Sequence, residues 1–301
     1  MYKFLCFSLL ALLFTSCAEK APVTEIMSPN DELSVTFLLN KNGQPTFMVK
    51  HLESKIIDTS GLGFEFKELP AMKGGFEILG TEEKAINETW EMPWGEHSEV
   101  ANNYRELKIE LQETETPNRL LNLYFRVFDD GFGFRYEFPK QEQISELVIT
   151  DENTTFKLTG NHQVWWQPGD WDIYEHLYNE SSFSEIDALS KRNDPNLIAS
   201  YIPENAVNTP VTMKTNDGYY LSFHEANLSN YPGMTLKVDP STLSMTSELV
   251  GSERLGAKAK ISLPFQTPWR TVQITKKAGD LIESNLIVNL NEHNTLGEIS
   301  Y

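Results

Sequence analysis

The feature that most constrains the fold is an alternation of apolar and polar residues that recurs along most of the chain. It is clearest in segment 120–138, where every second residue is apolar on both sides of an Asp129-Asp130-Gly131 turn. A period of two places these apolar side chains on one face of a strand. Glycine permits the positive φ of a tight turn. The segment therefore predicts a β-hairpin with one buried face.

The same reasoning predicts most of the remaining elements. Two further hairpins are expected, one joining 211–213 to 219–221 through an Asn-Asp-Gly turn and one joining 257–263 to 269–274. Helical patterns are scarce: 278–286 is the best candidate, 182–189 is a weaker one, and 287–291 is predicted as a terminal strand. Many short strands between Gly, Asn and Asp turns indicate an all-β sandwich, which at this length needs long strands in two broad sheets.

The N-terminus carries the pattern of an export signal. Lys3 precedes an apolar run, Phe4–Phe14, that is too short to span a bilayer. Small residues then lead to Cys17, as in the cleavage site of a bacterial lipoprotein. We therefore expect residues 1–17 to be a lipoprotein signal peptide, with lipidation at Cys17 and attachment to a membrane. The alternative is an ordinary signal peptide with a chance cysteine.

Export predicts a periplasmic or outer-membrane location. Residues 18–27 are expected to be a tether, 28–291 one β-sandwich domain, and 292–301 a linker. The only cysteines are Cys6 and Cys17, so the exported domain has no internal disulfide and depends on its core. The net charge of −18 argues against a nucleic acid partner and suits a neutral ligand, or a cation at a local carboxylate cluster.

Segment 161–178 concentrates aromatic residues and carboxylates. It contains half of the chain's six tryptophans, among them Trp165 and Trp166, followed closely by Asp170. Indole faces pack against the C–H face of a sugar ring while polar groups hold its hydroxyls. We therefore take Trp165, Trp166 and Asp170 as candidate sugar-binding residues. An equally plain interpretation is a loop of large side chains that closes one end of the sandwich.

A second polar and aromatic loop occupies residues 93–97. Trp94, Glu96 and His97 are candidate substrate-binding residues on the same chemical grounds. A histidine close to a glutamate is also commonly no more than a surface hydrogen bond. The two interpretations stay open at this point.

The strand 219–227 ends an apolar row with a carboxylate. In extended geometry Tyr219, Leu221, Phe223 and Glu225 share one face, while His224 points to the other. A carboxylate on a buried face needs a partner or a metal ion. Glu225 is therefore a candidate metal ligand, unless it lies beyond the end of the strand in solvent.

Two arginines of the first hairpin are expected to be structural. Arg126 and Arg135 alternate onto its polar face, where cross-strand ion pairs are favoured, Arg135 with Glu137. Segment 267–271 is interpreted as a packing corner with Trp269 buried.

Several of these segments together resemble a known family. The segments are 28–30 (SPN), 102–104 (NNY), 125–136 (FRVFDDGFGFRY), 224–226 (HEA), 267–271 (TPWRT) and 278–281 (AGDL). In this order they resemble the N-terminal domain of glycoside hydrolase family 97. The resemblance covers nearly all of residues 28–291.

The resemblance implies a β-super-sandwich like that of the galactose mutarotases. Members of the family are exported, calcium-dependent α-glucosidases or α-galactosidases. In them a (β/α)₈ barrel follows this domain and supplies the catalytic carboxylates, while the N-terminal domain contributes a glutamate to the calcium site. Glu225, in the HEA segment, is the position that matches. No catalytic residue is assigned in this chain, because it ends at Tyr301, before such a barrel.

Three functions are compatible with this pattern. The first is the N-terminal domain of a calcium-dependent, exo-acting α-glycosidase that acts on α-linked oligosaccharides, with its barrel in cis or from a split gene. The second is a stand-alone carbohydrate-binding lipoprotein. The third, a sugar epimerase, is disfavoured because Glu225 and His224 are expected on opposite faces of one strand and cannot act as an acid–base pair across one ring.

Overall fold

The computed structural model describes residues 23–92, 95, 97–192 and 195–292. The strands in chain order are β1 (Val23–Met27), β2 (Leu33–Leu39), β3 (Pro45–His51), β4 (Ser54–Gly61), β5 (Phe64–Phe66), β6 (Phe76–Glu91), β7 (Glu99–Glu113), β8 (Leu120–Phe128), β9 (Gly131–Phe138), β10 (Glu146–Glu152), β11 (Thr155–Leu158), β12 (Gln163–Trp166), β13 (Asn179–Ser182), β14 (Ala206–Val207), β15 (Val211–Lys214), β16 (Tyr220–Ala226), β17 (Met234–Asp239), β18 (Ser244–Leu249), β19 (Ala259–Ser262), β20 (Phe265–Gln266) and β21 (Trp269–Thr275). Two short α-helices follow, α1 (Ala278–Glu283) and α2 (Leu286–Asn289).

The strands form two large antiparallel sheets and one small one. The eight-stranded sheet has the order β1-β2-β3-β4-β11-β18-β17-β14. The ten-stranded sheet has the order β13-β12-β15-β16-β21-β9-β8-β7-β6, with β20 paired to β9. The three-stranded sheet has the order β19-β10-β5. The large number of antiparallel strands confirms the all-β sandwich.

The core lies between the two large sheets. Phe47 of β3 packs against Phe134 of β9, with ring centroids 5.0 Å apart, and against Phe125 of β8 at 6.1 Å. Phe156 of β11 meets Phe223 of β16 at 5.2 Å. These contacts join one sheet to the other, so the apolar half of each alternation faces inward, as the period of two requires.

The opposite, outer face of the ten-stranded sheet is partly covered by the two helices. Leu286 and Leu290 pack there with Trp269 in a second, smaller apolar cluster. Gly133 of β9 permits this close approach, because a Cβ atom at this position would meet the Leu290 side chain. The helical segment therefore lies directly on the sheet.

Two of the three predicted hairpins are confirmed, and one is wrong. β8 and β9 pair around Asp129 and Asp130, and β15 pairs with β16. The expected pairing of 257–263 with 269–274 does not occur, because β19 pairs with β10 while β21 lies between β16 and β9. Both strands find partners that are distant in sequence, which local alternation does not specify.

The ends of the domain also differ from expectation. β1 pairs with β2, so residues 23–27 are part of the sandwich and not of a tether. Residues 286–289 are helical instead of forming a terminal strand. The weaker helix prediction corresponds to two 3₁₀ turns, Phe183–Glu185 and Leu189–Lys191. In the described part of the chain, no helix has the length and apolar character needed to cross a membrane.

Candidate functional site

Glu225 belongs to a buried cluster of charges at the end of β16. Its Oε2 atom accepts a hydrogen bond from Nη1 of Arg270 at 2.7 Å, and its Oε1 atom accepts one from the amide of Met234 at 3.0 Å. Arg270 also donates from Nε and Nη2 to Glu152, at 2.8 and 2.7 Å. We call Glu152, Arg270 and Glu225 the buried triad.

The rest of the cluster satisfies Glu152 with hydroxyl groups. Thr154 and Tyr231 donate to its carboxylate at 2.8 and 3.1 Å. Arg270 and Glu152 have no exposed side-chain surface. Burial acts to lower the pKa of Arg270, but the charges and hydrogen bonds of Glu152 and Glu225 raise it overall, so the guanidinium stays charged.

Burial raises the pKa of the Glu225 carboxyl above its ordinary value of 4.5. Arg270 and the Met234 amide oppose this shift, while the charge of Glu152 adds to it. One guanidinium facing two carboxylates leaves the triad with one uncompensated negative charge when all three groups are ionised. The raised pKa of Glu225 comes first from burial of the carboxyl, and the surplus negative charge of Glu152 adds to it.

Glu225 does not complete a calcium site with the other described residues of this domain. Calcium takes six to eight oxygen ligands. In the described ranges no group of three or more His, Cys, Asp or Glu residues is placed to hold a metal ion. A cation at Glu225 would also lie beside the guanidinium of Arg270, which already occupies Oε2. The assignment of Glu225 as a metal ligand, with the remaining ligands from a catalytic barrel, stays a prediction, and within the described residues the carboxylate is held by Arg270 and the Met234 amide.

Asp170 organises the loop that follows β12. Its Oδ1 atom accepts hydrogen bonds from the amides of Asp172 and Ile173 at 2.9 and 3.2 Å. Its Oδ2 atom accepts from Nε2 of His176 at 2.9 Å and from the amide of Ser200 at 3.1 Å. With four donors and 3% exposure, this carboxylate holds loop 171–178 in place and leaves little capacity for a sugar.

The two adjacent tryptophans point to opposite faces of the ten-stranded sheet. Trp166 lies in the core, and its Nε1 atom donates to Oγ of Ser181 at 3.0 Å. Trp165 is half-buried on the outer face, paired in register with Thr212 of β15 and Glu180 of β13. Of the two predicted sugar-binding tryptophans, only Trp165 reaches the surface.

The second predicted loop is only partly described. Trp94 and Glu96 lie outside the described residues, as does Cys17. His97 is exposed at the tip of the β6–β7 hairpin, with Nε2 at 4.0 Å from Oε2 of Glu283 in α1. Five strands separate β12 from β7 in the sheet order, so the sheet does not place this hairpin beside β12.

Two arginines of the outer face behave differently from each other. Arg126 pairs across strands with Glu106 at 2.7 Å, which confirms the expected ion pair. Arg135 does not pair with Glu137, and instead stacks on the buried ring of Trp269 at 4.4 Å and lies 3.8 Å from Glu292. The prediction of an Arg135–Glu137 pair is wrong, because Glu137 accepts hydrogen bonds from Asn122 and Gln266 instead, while the Arg135 guanidinium lies on the indole contributed by β21.

Sequence reasoning missed the role of Arg270. The sequence predicts a packing corner at 267–271, and of this prediction only the burial of Trp269 is confirmed. A usable signal was present, because Arg270 alternates with Val272 and Ile274 on one face of β21. A charged residue in an otherwise apolar row requires a buried counter-charge.

Comparison with known proteins gives a family match over almost the whole described chain. Residues 26–293 match the sequence model described as glycosyl-hydrolase 97 N-terminal. The retaining alpha-galactosidase of Bacteroides thetaiotaomicron is 21% identical over 99% of this chain and 46% of its own length. The chain therefore spans less than half of this curated relative.

Solved structures give the same result. A glycoside hydrolase family 97 enzyme from Pseudoalteromonas sp. strain K8, solved in complexes with panose and with acarbose, is 30% identical with a TM-score of 0.81. The match covers 91% of this chain and 39% of that one. A beta-arabinopyranosidase, 18% identical with a TM-score of 0.71 over 84% of this chain and 40% of its own, shares the fold. The chain thus belongs to the N-terminal domain family of glycosyl hydrolase family 97.

Proposed function

We propose that this domain is the N-terminal part of an exo-acting α-glycosidase that cleaves α-linked oligosaccharides. The observation that carries the proposal is the family match over residues 26–293, together with the 30% identity to an enzyme solved with panose and acarbose. The chain covers 39% of that enzyme. The catalytic (β/α)₈ barrel is proposed to be joined in cis or encoded by a separate gene.

The described residues support a non-catalytic role for this domain. Glycoside hydrolysis uses two carboxyl groups on either side of the scissile bond, with room between them for the sugar. The two buried carboxylates of the triad, Glu152 and Glu225, are instead bridged by Arg270. A sugar cannot enter between them without breaking the triad. We therefore expect catalysis to depend on residues outside this domain.

Loop 171–178 is proposed to shape substrate access. Asp170 fixes the start of the loop, and the loop presents exposed side chains at Tyr174, Leu177 and Tyr178, with exposures of 59%, 81% and 62%. An ordered loop with exposed apolar groups is suited to contact a neighbouring domain or a sugar. Such a role requires the catalytic barrel to lie close to this end of the sandwich.

Calcium dependence of the complete enzyme remains a proposal from the family resemblance. Glu225, which accepts one hydrogen bond on each oxygen, from Arg270 and the Met234 amide, is the candidate ligand from this domain, and the remaining ligands are proposed to come from the catalytic barrel. Activity should be measured with EDTA and after calcium is restored, in the wild type and in Glu225→Gln. A calcium requirement that is unchanged in Glu225→Gln would exclude this residue as an essential ligand.

The central experiment compares the domain alone with the domain joined to its catalytic barrel. The assay follows release of nitrophenol from aryl α-glucosides and α-galactosides. The isolated chain is expected to release none, and the complete polypeptide, or the two parts mixed, is expected to hydrolyse at least one. Hydrolysis by the isolated chain would contradict the proposal, as would an inactive complete protein that is correctly folded.

We also propose that the protein is exported and that Cys17 carries a lipid. Labelling with a radioactive or alkynyl fatty acid should mark the wild-type protein and fail to mark Cys17→Ser. The labelled protein is expected in the membrane fraction, with the domain in the periplasm or on the outer membrane. Equal labelling of the wild type and Cys17→Ser would exclude Cys17 as the lipidated residue.

A further inference from the structure

The two carboxylates of the buried triad contact the same guanidinium in different ways. Arg270 donates to Glu152 from Nε at 2.8 Å and from Nη2 at 2.7 Å, and each bond ends on a different oxygen of Glu152. It donates only once to Glu225, from Nη1 at 2.7 Å. The forked pair is the stronger of the two arrangements. Glu152 is therefore the principal counter-charge of Arg270, and Glu225 carries the negative charge that remains when all three groups are ionised.

Glu225 keeps hydrogen-bonding capacity that Glu152 has used. In the described part of the chain, Oε1 of Glu225 accepts from the Met234 amide and Oε2 accepts from Arg270. The Glu152 carboxylate accepts four hydrogen bonds, two from Arg270 and two from neighbouring hydroxyl groups. An ionised carboxylate has about four acceptor positions, so Glu152 is saturated and about half of the positions of Glu225 are free. The Glu225 side chain is 7% exposed, whereas Glu152 and Arg270 have no exposed side-chain surface, so Glu225 is the member of the triad that a group outside the domain can reach.

Glu225 lies at the end of the sandwich where the described chain stops. It is the penultimate residue of β16, and two residues further along the amide of Asn227 donates to Oδ1 of Asn291 at 2.9 Å. A catalytic barrel joined after residue 292 would therefore begin beside Glu225. Gly233 leaves Oε1 of Glu225 uncovered on one side, because a Cβ atom at this position would lie 3.7 Å from that oxygen.

These properties suit a calcium ion whose remaining ligands come from a catalytic barrel. Calcium binds six to eight oxygen ligands, carboxylates among them, and Glu225 offers oxygen atoms and a negative charge. A guanidinium beside the ion would weaken binding by repulsion unless its own charge is balanced. Glu152 balances the charge of Arg270 from a position with no exposed surface. Hydrogen-bond partners behind a metal ligand orient it, and their mutation typically lowers metal affinity by about 10–100-fold.

We propose that Arg270 and Glu152 are positioning residues for Glu225, the proposed calcium ligand of this domain. Arg270 fixes the orientation of the Glu225 carboxylate through Oε2, and Glu152 neutralises Arg270 so that the cation does not meet a net positive charge. Neither Arg270 nor Glu152 touches the cation or the sugar. The inference rests on the proposed function, because it requires a calcium-dependent enzyme with Glu225 among its ligands.

Calcium binding by the complete enzyme tests the proposal without any measurement of hydrolysis. The complete enzyme is this chain with its catalytic barrel, stripped of bound calcium with EDTA, dialysed, and titrated with calcium chloride in a calorimeter. Glu152→Gln is the main variant, because glutamine has the size of glutamate but leaves the charge of Arg270 to act on the cation. Its calcium dissociation constant should be about 10–100-fold higher than that of the wild type. Arg270→Lys should also weaken calcium binding severalfold, because a lysine cannot reproduce the fork that holds both carboxylates.

Glu113→Gln is the matched control. Glu113 forms the same forked pair with Arg119, at 2.7 Å from Nε and 2.6 Å from Nη2, and both side chains are buried. Glu113→Gln should lose stability as Glu152→Gln does, because each substitution breaks a buried ion pair, but it should bind calcium like the wild type. The melting temperature without calcium shows whether each variant is folded, and Arg270→Lys decides the test if Glu152→Gln does not fold.

Glu225→Gln distinguishes failure of this inference from failure of the proposed function. If Glu225→Gln loses calcium binding while folded Glu152→Gln and Arg270→Lys keep wild-type affinity, the positioning roles are overturned and the ligand assignment stands. If Glu225→Gln binds calcium like the wild type, or the wild type binds none, the ligand assignment and the positioning roles are both overturned. An equal loss of calcium affinity in Glu113→Gln would also overturn the inference, because the effect would then come from general destabilisation. Hydrolysis of aryl α-glycosides by the complete enzyme is a separate result and would still support an α-glycosidase.

Discussion

Removing the guanidinium of the buried triad is the sharpest test of how this domain is stabilised. Arg270→Met deletes three hydrogen bonds of 2.7–2.8 Å and leaves Glu152 and Glu225 facing each other without a counter-charge. Breaking a buried ion pair from one side costs about 3–5 kcal/mol, because a charge is left buried and unpaired. Two carboxylates are left here, so we expect the upper end of this range, about 5 kcal/mol.

This loss is large compared with the stability of an ordinary domain, which is about 5–15 kcal/mol. For a domain of this size each kcal/mol shifts the melting temperature by about 2–4 °C. We therefore expect Arg270→Met to melt about 10–20 °C below the wild type. Urea unfolding followed by tryptophan fluorescence gives the free energy directly. Arg254→Met is the control, because Arg254 is exposed and its removal should cost less than about 0.5 kcal/mol.

We expect the loss of stability in Arg270→Met to come from the two unpaired carboxylates and not from lost packing. Adding Glu152→Gln and Glu225→Gln to Arg270→Met should recover much of the lost free energy, since no ionised group then remains in the cluster. Lowering the pH should also reduce the difference between Arg270→Met and the wild type, because protonation removes the unpaired charges. A loss below about 1 kcal/mol at pH 7, or no recovery in the triple variant, would refute the assignment of the triad as a closed electrostatic unit.

Three further outcomes follow from the geometry. The folded-state pKa of Glu225 is raised. Protonation of Glu225 therefore adds stability that is present below pH 4.5 and is lost as the pH rises through the raised pKa. Glu225→Gln should remove this part of the pH dependence of the free energy of unfolding, measured from pH 4 to 8. Gly131→Ala should destabilise the domain by about 1–3 kcal/mol in urea unfolding, because a Cβ would press on the Val272 carbonyl, whereas Gly218→Ala, with positive φ but open space, should cost less. Asp170→Asn should cost about 2–3 kcal/mol by weakening hydrogen bonds to a charged acceptor, and limited proteolysis should cut loop 171–178 faster than in the wild type; equal cutting rates would contradict the role given to Asp170.

Local patterns predicted the elements better than their neighbours in the sheets. The hairpin of β8 and β9 was predictable because the alternation and the turn are adjacent in sequence. β19 and β21 also alternate, yet they do not pair with each other: β19 pairs with β10, and β21 lies between β16 and β9. Residues 286–290 were ambiguous, since Leu286 and Leu290 suit one helical face as well as a strand. The close approach permitted at Gly133 favours the helix.

In the candidate site, too, the features set by neighbouring residues were predictable, and the contacts between residues distant in the sequence were not. Alternation correctly placed Glu225 on the inner face, and it correctly separated Glu225 from His224. It could not supply the partner of Glu225, because Arg270 lies 45 residues further along the chain. The interpretation of Glu225 as a metal ligand has two grounds, its place on a buried face and the resemblance of the HEA segment to the family. Arg270 supplies the partner that the first ground requires, and the second ground stays a prediction.

The adjacent tryptophans Trp165 and Trp166 show why an aromatic segment alone does not define a sugar site. A strand sends successive side chains to opposite faces, so at most one of the pair can meet a ligand on either side of the sheet. Trp166 is committed to the core and to Ser181. Trp165 is half-buried on the outer face, in register with Thr212 of β15 and Glu180 of β13, and Thr212 lies opposite Ser222 of β16. These neighbours come from strands distant in sequence, so alternation alone could not show what surrounds the indole.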